Sequence, residues 1–132
     1  MSKIKILVCE PHAAPRVDEI EDDLHSLQNV VGGLIEAIYP PQCDDNALIF
    51  GNDEAKLAEM PPNRLLFTTD GTPYDVICGT FFITAEGEDG ELTSLTDAQI
   101  AKYSELYAEY LTEEDAGRFA ELIQPRFAFI GF

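Results

Sequence analysis

The sequence predicts a single α+β domain, in which a mostly antiparallel sheet of about five or six strands is covered by two or three helices. Apolar, β-branched runs recur along the chain and are bounded by Pro, Gly and Asp, as strands usually are. Two other segments, 17–31 and 100–110, space their apolar residues as one face of a helix does. The 132 residues are enough for one domain that buries a core without disulfides or metal.

The first strand is expected in "KIKILVC", and the segment that follows it, 16–31, admits two interpretations. Its apolar spacing allows a helix that begins near Val17. Alternatively, the first residues form a second strand, and Asp22 or Asp23 caps a shorter helix. We expect the second arrangement, with an edge strand followed by a helix over roughly 22–31.

The Gly32-Gly33 pair follows this helix and precedes the predicted strand "LIEAIYP". Glycine loops that bind phosphate lie between a strand and the N-terminus of a helix, where the helix dipole attracts an anion. Here the glycines lie at a helix C-terminus, where the dipole repels phosphate and glycine readily adopts the positive φ that ends a helix. We therefore interpret the pair as a helix stop.

In the middle of the chain, the apolar runs "ALIF" and "DVICGTFFITA" predict two more strands. The second is the strongest strand signal, and Gly79 in its middle indicates a bulge or a close approach of the backbone. Residues 61–74 are expected to be a loop, because Pro61 and Pro62 cannot lie in a central strand.

The C-terminal part predicts two helices. Thr96 and Gln99 form a capping box at the start of the first, which is expected from Asp97 to about Leu111. Its stripe of Ile100, Tyr103, Tyr107 and Tyr110 is expected to pack in the core. A second helix is expected over roughly 113–123, and the apolar tail "RFAFIGF" as a last strand or a docked end.

Charge is the unusual feature of the composition. The chain has 25 acidic and 8 basic side chains, for a formal net charge of −17. No Lys or Arg lies between Arg16 and Lys56, and only Lys102 lies between Glu86 and Asp115. Such a field repels nucleic acid and anionic membranes, and it suits a basic partner, cations or simple solubility. With no apolar run of membrane-spanning length and no secretion signal, we expect a cytoplasmic protein.

The cysteines, histidines, serines and acidic residues do not match the sequence motif of any known catalytic or metal-binding site. Cys9, His12, Cys43 and Cys78 lack the paired spacing of a structural zinc site, and no nucleophile, metalloprotease or phosphate-binding motif is present. The acidic runs "CDDN" and "EGEDGE" lack the ligand spacing of a calcium loop. We therefore predict no catalytic residues, no cofactor and no metal, and a protein that is not an enzyme.

The blocks "LQNVVGGLIEAIYP", "NDEAKLAEMPPNRLLF", "VICGTFFITA" and "ELTSLTDAQIAKY" resemble successive blocks of the domain of unknown function 3846 family. The resemblance covers about residues 4–107 and leaves the C-terminal helix and tail, 112–132, outside it. It implies no activity and no site residues. It does imply an accessory protein of phages, plasmids or conjugative elements, for which inhibition of host restriction or CRISPR systems is a plausible role.

These observations suggest a hypothesis for function. An acidic surface would imitate the phosphates of DNA and occupy a basic groove of a partner protein, such as a host nuclease, without binding nucleic acid itself. The residues that would carry this surface are Asp18, Glu19, Asp22, Asp23, Asp44, Asp45, Glu86, Glu88, Asp89, Glu105 and Glu109.

Two other interpretations stay open. The acidic surface serves only solubility in one of them. In the other, the protein binds a small ligand in a pocket near Gly79 and the 61–74 loop. Salt separates mimicry from an apolar pocket, because only the former weakens steeply with ionic strength.

Overall fold

The computed structural model describes residues 3–124, which form two antiparallel sheets and four helices. It confirms the predicted α+β class. The strands are β1 (Lys3–Cys9), β2 (Arg16–Glu21), β3 (Ile35–Ile38), β4 (Ala47–Asn52), β5 (Pro62–Phe67), β6 (Pro73–Cys78), β7 (Phe81–Glu86) and β8 (Leu92–Thr93). The helices are α1 (Leu24–Val31), α2 (Asp97–Leu106), α3 (Glu113–Arg118) and α4 (Ala120–Ile123).

The main sheet has the strand order β2-β1-β7-β4-β3, and the short β8 also pairs with β7. All its pairings are antiparallel. The register places the start of β1 beside the end of β2, since Lys3 pairs with Glu21. It likewise places the start of β4 beside the end of β7, since Ala47 pairs with Ala85. One end of the sheet therefore collects the ends of β2 and β7 and the starts of β1 and β4.

The two faces of this sheet bury separate clusters. One face packs on α1, where Ile6 and Phe82 meet Leu27 and Val31. The opposite face packs on α2 and on the second sheet, which consists of β5 and β6 alone. Strand alternation explains this division, because neighbouring residues such as Phe81 and Phe82 point to opposite faces. The central strands are accordingly apolar on both faces.

The start and end of α1 follow the predicted chemistry. Asp23 is the N-cap, and its side chain accepts a hydrogen bond from the backbone N–H of Ser26 at 2.7 Å. Gly32 ends the helix in the left-handed region at φ 78°, and its N–H donates to the carbonyl of Gln28. The helix stop and the preceding edge strand are confirmed. A helix beginning near Val17 is wrong, because residues 16–21 pair with β1 along its length.

The capping box of α2 is present, with Thr96 and Gln99 satisfying each other's backbone N–H groups. The helix is shorter than predicted. It ends at Leu106, because the carbonyl of Tyr107 turns to accept a hydrogen bond from the buried side chain of Arg64. Tyr103 and Tyr107 lie in the core as expected, whereas Tyr110 lies beyond the helix and is partly exposed.

The predicted helix over 113–123 is divided at Phe119 into α3 and α4, although Thr112 caps its start as expected. Phe119 adopts a non-helical conformation and packs at the edge of a third apolar cluster, around Val76 and Leu111. The predicted strand or docked end in "RFAFIGF" lies outside the described residues.

Two predictions for the middle of the chain were wrong. Residues 61–74 are not a loop, because β5 occupies 62–67 and pairs with β6 across a turn at 68–72. Pro62 is tolerated because it begins the strand, where no ladder hydrogen bond from its nitrogen is needed. The apolar run around Gly79 is not one bulged strand: Gly79, at φ 74°, turns the chain from β6 in the small sheet to β7 in the main sheet.

Candidate functional site

Several of the predicted partner-binding carboxylates meet at one end of the main sheet. The ends of β2 and β7, the start of β4 and the loops beside them lie there, as the strand register requires. We call this surface the acidic end. Its predicted members are Asp22, Asp23, Asp44, Asp45, Glu86, Glu88 and Asp89.

Two carboxylates of the acidic end are paired with one base of the chain itself. The Nζ atom of Lys102 lies 2.9 Å from Asp44 and 3.4 Å from Asp45. The hydrogen bond and charge of Lys102 lower the pKa of Asp44. Burial acts to raise the pKa of Asp45, but the Tyr103 hydroxyl and Lys102 outweigh it, so that pKa is also lowered. These residues anchor the loop before β4 to α2 and are already engaged.

The other members of the acidic end fall into two groups, those whose side chains are hydrogen-bonded within the protein and those whose side chains are not. Asp23 caps α1, and Glu86 accepts a hydrogen bond from the Tyr39 hydroxyl at 3.1 Å. Asp22, Glu88 and Asp89 are exposed, and within residues 3–124 no ion pair or hydrogen bond engages their carboxylates. Within the acidic end, these last three are therefore the carboxylates most available to a partner.

The remaining predicted residues lie away from the acidic end. Asp18 lies further back along β2 and is paired with Arg16 at 3.2 Å, and Glu19 is its neighbour on the same edge strand. Glu105 and Glu109 lie at the C-terminal side of α2, which leads toward the opposite end of the sheet.

A second candidate site, which the sequence did not indicate, is a groove of about 220 Å³ between the two sheets. We call it the inter-sheet groove. Residues of β3, β4 and β6 and the turn after β4 line it. Its lining consists of Glu36, Ile38, Gly51, Asn52, Asp53, Ala55, Lys56, Leu57, Asp75, Val76, Ile77 and Cys78.

Charged groups line part of the inter-sheet groove. Lys56 donates to Asp75, with Nζ and Oδ1 2.6 Å apart, and both side chains are partly shielded from solvent. Desolvation, together with the negative charge of Asp53, raises the pKa of Glu36. Asn52 is committed to structure, since its amide donates to the Val31 carbonyl and its oxygen accepts from the Glu54 N–H. Glu36 and Asp53 are thus a like-charge pair beside a lysine that is already paired.

The raised pKa of Glu36 predicts a pH-dependent stability change in Glu36→Gln. Below the ordinary glutamate pKa of about 4.3, Glu36 is protonated in the folded and unfolded states, so the substitution changes little. Above the raised folded-state pKa, only the parent protein carries a charge at Glu36, which is exposed on one side but partly desolvated beside Asp53. We expect Glu36→Gln to raise Tm at pH 7.5 and to leave it nearly unchanged at pH 4, as measured by thermal denaturation. Glu54→Gln, which removes the same charge from an exposed neighbour outside the groove, is the control, and an equal gain in both variants would contradict the assignment.

The sequence placed a ligand pocket near Gly79 and residues 61–74, and neither cavity matches that position fully. Gly79 lines neither of them and faces Met60. Arg64, Leu65 and Phe67 line a second cavity, of about 410 Å³, beside the C-terminal side of α2. The inter-sheet groove instead uses residues 75–78, immediately before Gly79.

The cysteines do not form a reactive or metal-binding centre within residues 3–124, where no cluster of three His, Cys, Asp or Glu side chains suits a metal ion. Burial raises the pKa of the Cys9 thiol to about 12 and that of Cys43 to about 11. Cys78 is buried, and desolvation raises its pKa too. Such thiols stay protonated and behave as small apolar side chains.

The comparison with family models decides the affiliation. The model for the domain of unknown function DUF3846 matches residues 4–108. The chain belongs to the DUF3846 family. The matched region covers the main sheet except Lys3, the whole of the second sheet and all of α2. It contains every residue of the acidic end and of the inter-sheet groove.

Searches of curated proteins and of solved structures gave no match. The DUF3846 family carries no assigned activity in its description, so the assignment of function rests on the geometry. Among residues 3–124, no helix has both the length and the apolar character needed to cross a membrane.

Sequence reasoning missed the inter-sheet groove because its members come from three distant segments. One signal was visible: Lys56 is the first Lys or Arg after Arg16 in a long acidic stretch. A lone base in such a stretch suggests a specific ionic partner. Its partner, Asp75, lies in β6, whose place in a second sheet the sequence did not predict.

Proposed function

We propose that this DUF3846 protein is a non-enzymatic accessory protein that binds a basic surface of a protein partner through its acidic end. One observation carries the proposal: separate segments of the chain bring carboxylates to the same end of the main sheet. Asp22, Glu88 and Asp89 are exposed there and have no partner among residues 3–124. The net charge of −17 adds a long-range field that attracts a basic surface.

The partner chemistry that fits this surface best is a groove built for the phosphates of nucleic acid. Such a groove presents several Lys and Arg side chains, and a rigid array of carboxylates competes for them by the same attraction that holds DNA. The sheet supplies a fixed base for the loops that carry Asp22, Glu88 and Asp89, because its end is held by backbone pairing and by the Lys102 contacts with Asp44 and Asp45. In concrete form, the protein acts in the cytoplasm as an accessory factor of a mobile genetic element and inhibits a host restriction or CRISPR nuclease.

The test combines partner capture with a charge-matched pair of variants. Tagged protein is incubated with lysate of a host that encodes such nucleases, at low and at high salt, and bound proteins are identified by mass spectrometry. We expect a nucleic-acid-binding protein that is retained at low salt and lost at high salt, because exposed charges are screened. Recovery of no basic partner, or recovery that does not depend on salt, would overturn the proposal.

The variants then locate the binding surface. Asp22→Asn, Glu88→Gln and Asp89→Asn are combined in one protein, and Glu105→Gln, Glu109→Gln and Glu121→Gln in the control. Both triple variants lose the same charge, but only the first loses it at the acidic end. Exposed ion pairs contribute about 0.2–1 kcal/mol each, so the first variant should weaken the affinity about tenfold and the control far less. Equal losses in both would show that total charge, not the acidic end, governs binding.

A further inference from the structure

The inter-sheet groove combines an apolar wall with an uneven set of charges. Ala55, Val76 and Cys78 are buried and form part of the wall, with Ile38 beside them. Burial keeps the Cys78 thiol protonated, so it contributes no charge. A volume of about 220 Å³ is enough for a short aliphatic chain with a polar head.

Among the described residues, the groove is lined by three carboxylates, of Glu36, Asp53 and Asp75, but by only one basic side chain, that of Lys56. Lys56 is committed to Asp75 at 2.6 Å. Within residues 3–124, no base forms an ion pair with Glu36 or Asp53, which both line the groove and are both exposed to solvent at its rim. The charge of Asp53 contributes to the raised pKa of Glu36. A like-charge pair at the rim of an apolar cavity is unfavourable, since desolvation and repulsion act in the same direction. A positive group placed between the two carboxylates would relieve both.

The charges and the apolar wall of the groove decide which class of ligand it can bind. An anion would meet three carboxylates, and a neutral ligand would leave the repulsion in place. A metal ion is disfavoured because the described carboxylates do not converge into a coordination set. A cation on an aliphatic stem satisfies both features, with its head at Glu36 and Asp53 and its stem on the wall near Val76.

We propose that the inter-sheet groove binds an alkylammonium or alkylguanidinium group, with Glu36 and Asp53 as its counter-ions. Lys56 keeps Asp75 occupied, so the incoming cation is directed to the other two carboxylates. The site is separate from the acidic end. The same chemistry is offered by a free aliphatic amine and by a Lys or Arg side chain of a protein, and the experiment distinguishes these sources.

The proposal is tested by titration of the isotopically labelled protein, followed by NMR, at constant ionic strength. The probes are pentylamine, the side-chain mimic Nα-acetyl-lysine methylamide, which carries the same single charge, and 1-pentanol as an uncharged control. We expect saturable shifts of groove amides with the two cations and none with the alcohol. Tighter binding of pentylamine would identify a free amine as the source, and tighter binding of the lysine derivative a protein side chain.

Variants assign the shifts to the two carboxylates. Glu36→Gln and Asp53→Asn keep the size of the side chain. Each should lower the affinity of the groove for both cations about tenfold or more. Glu36→Gln is expected to fold, because it removes an unfavourable charge. The triple variant Asp22→Asn, Glu88→Gln, Asp89→Asn should bind the cations as the parent does. This variant separates the two proposals, because it is expected to weaken partner capture while its groove stays intact. Cation binding that is absent, unsaturable or unchanged in Glu36→Gln and Asp53→Asn would overturn the groove proposal.

Discussion

Replacing Arg64 by Met is expected to cost about 3 kcal/mol or more of the free energy of unfolding, which is a large part of the total for a domain of this size. The Arg64 side chain is 1% exposed. Its nitrogens donate to the carbonyls of Tyr107 at 2.9 Å, Glu10 at 3.0 Å and Ala13 at 2.7 Å. Met fills similar volume but donates nothing, so these carbonyls lose their partners, at about 1–3 kcal/mol for each group left buried.

An opposing effect limits the loss. Burial lowers the pKa of Arg64, which shows that the guanidinium is itself held at some cost, and no carboxylate among residues 3–124 lies within ion-pair distance of it. Removing a buried charge can be neutral when its partners are removed too. Here the partners are backbone carbonyls of three separate segments, which no single substitution removes. The loss of hydrogen bonds therefore outweighs the relief of desolvation.

Chemical denaturation measures this effect, and Arg118→Met is the matched control. The Arg118 side chain is 72% exposed, and its contact with Asp115 is long, at 3.8 Å. The control should stay within about 0.5 kcal/mol of the parent protein. If Arg64→Met also stays within that range, the guanidinium does not hold the β1–β2 loop and the end of α2 as inferred.

The same residue shows why the length of α2 could not be predicted. The start of the helix is set by Thr96 and Gln99, which cap it and lie within four residues of each other in the sequence. The start was therefore predicted correctly. The end depends on Arg64, which lies far away in the sequence and withdraws the Tyr107 carbonyl from the helix. Local capping chemistry is visible in a sequence, whereas a tertiary hydrogen bond is not.

The candidate sites follow the same rule. The exposed carboxylates Asp22, Glu88 and Asp89 were recognised from composition, but their meeting at one end of the sheet depends on strand order. The inter-sheet groove depends further on the position of β6, which the sequence assigned to one long strand with β7. What distinguishes one long strand from two strands in different sheets is the backbone conformation of a single residue, Gly79.

Gly79→Ala is accordingly expected to destabilise the fold by about 2–3 kcal/mol. Gly79 has φ 74°, a conformation that costs other residues about 1–2 kcal/mol. A β-carbon there would also lie 2.8 Å from Sδ and 3.3 Å from Cβ of Met60. The backbone cannot rotate away from this contact, because the Gly79 N–H donates to Pro61 and its carbonyl accepts from Asn63, both at 2.8 Å.

Two further variants separate conformational strain from steric overlap, with all stabilities measured by chemical denaturation. Gly71→Ala has the strain alone, since Gly71 has φ 87° and a methyl group added there would meet no heavy atom within 4 Å among the described residues. It should cost about 1 kcal/mol. Met60→Ala combined with Gly79→Ala should cost less than the sum of the two single changes, because Met60→Ala removes the 2.8 Å contact with Sδ and leaves only the longer one with Cβ. Equal costs for Gly71→Ala and Gly79→Ala would show that Met60 yields freely. In that case the turn between the two sheets depends on glycine's backbone freedom alone.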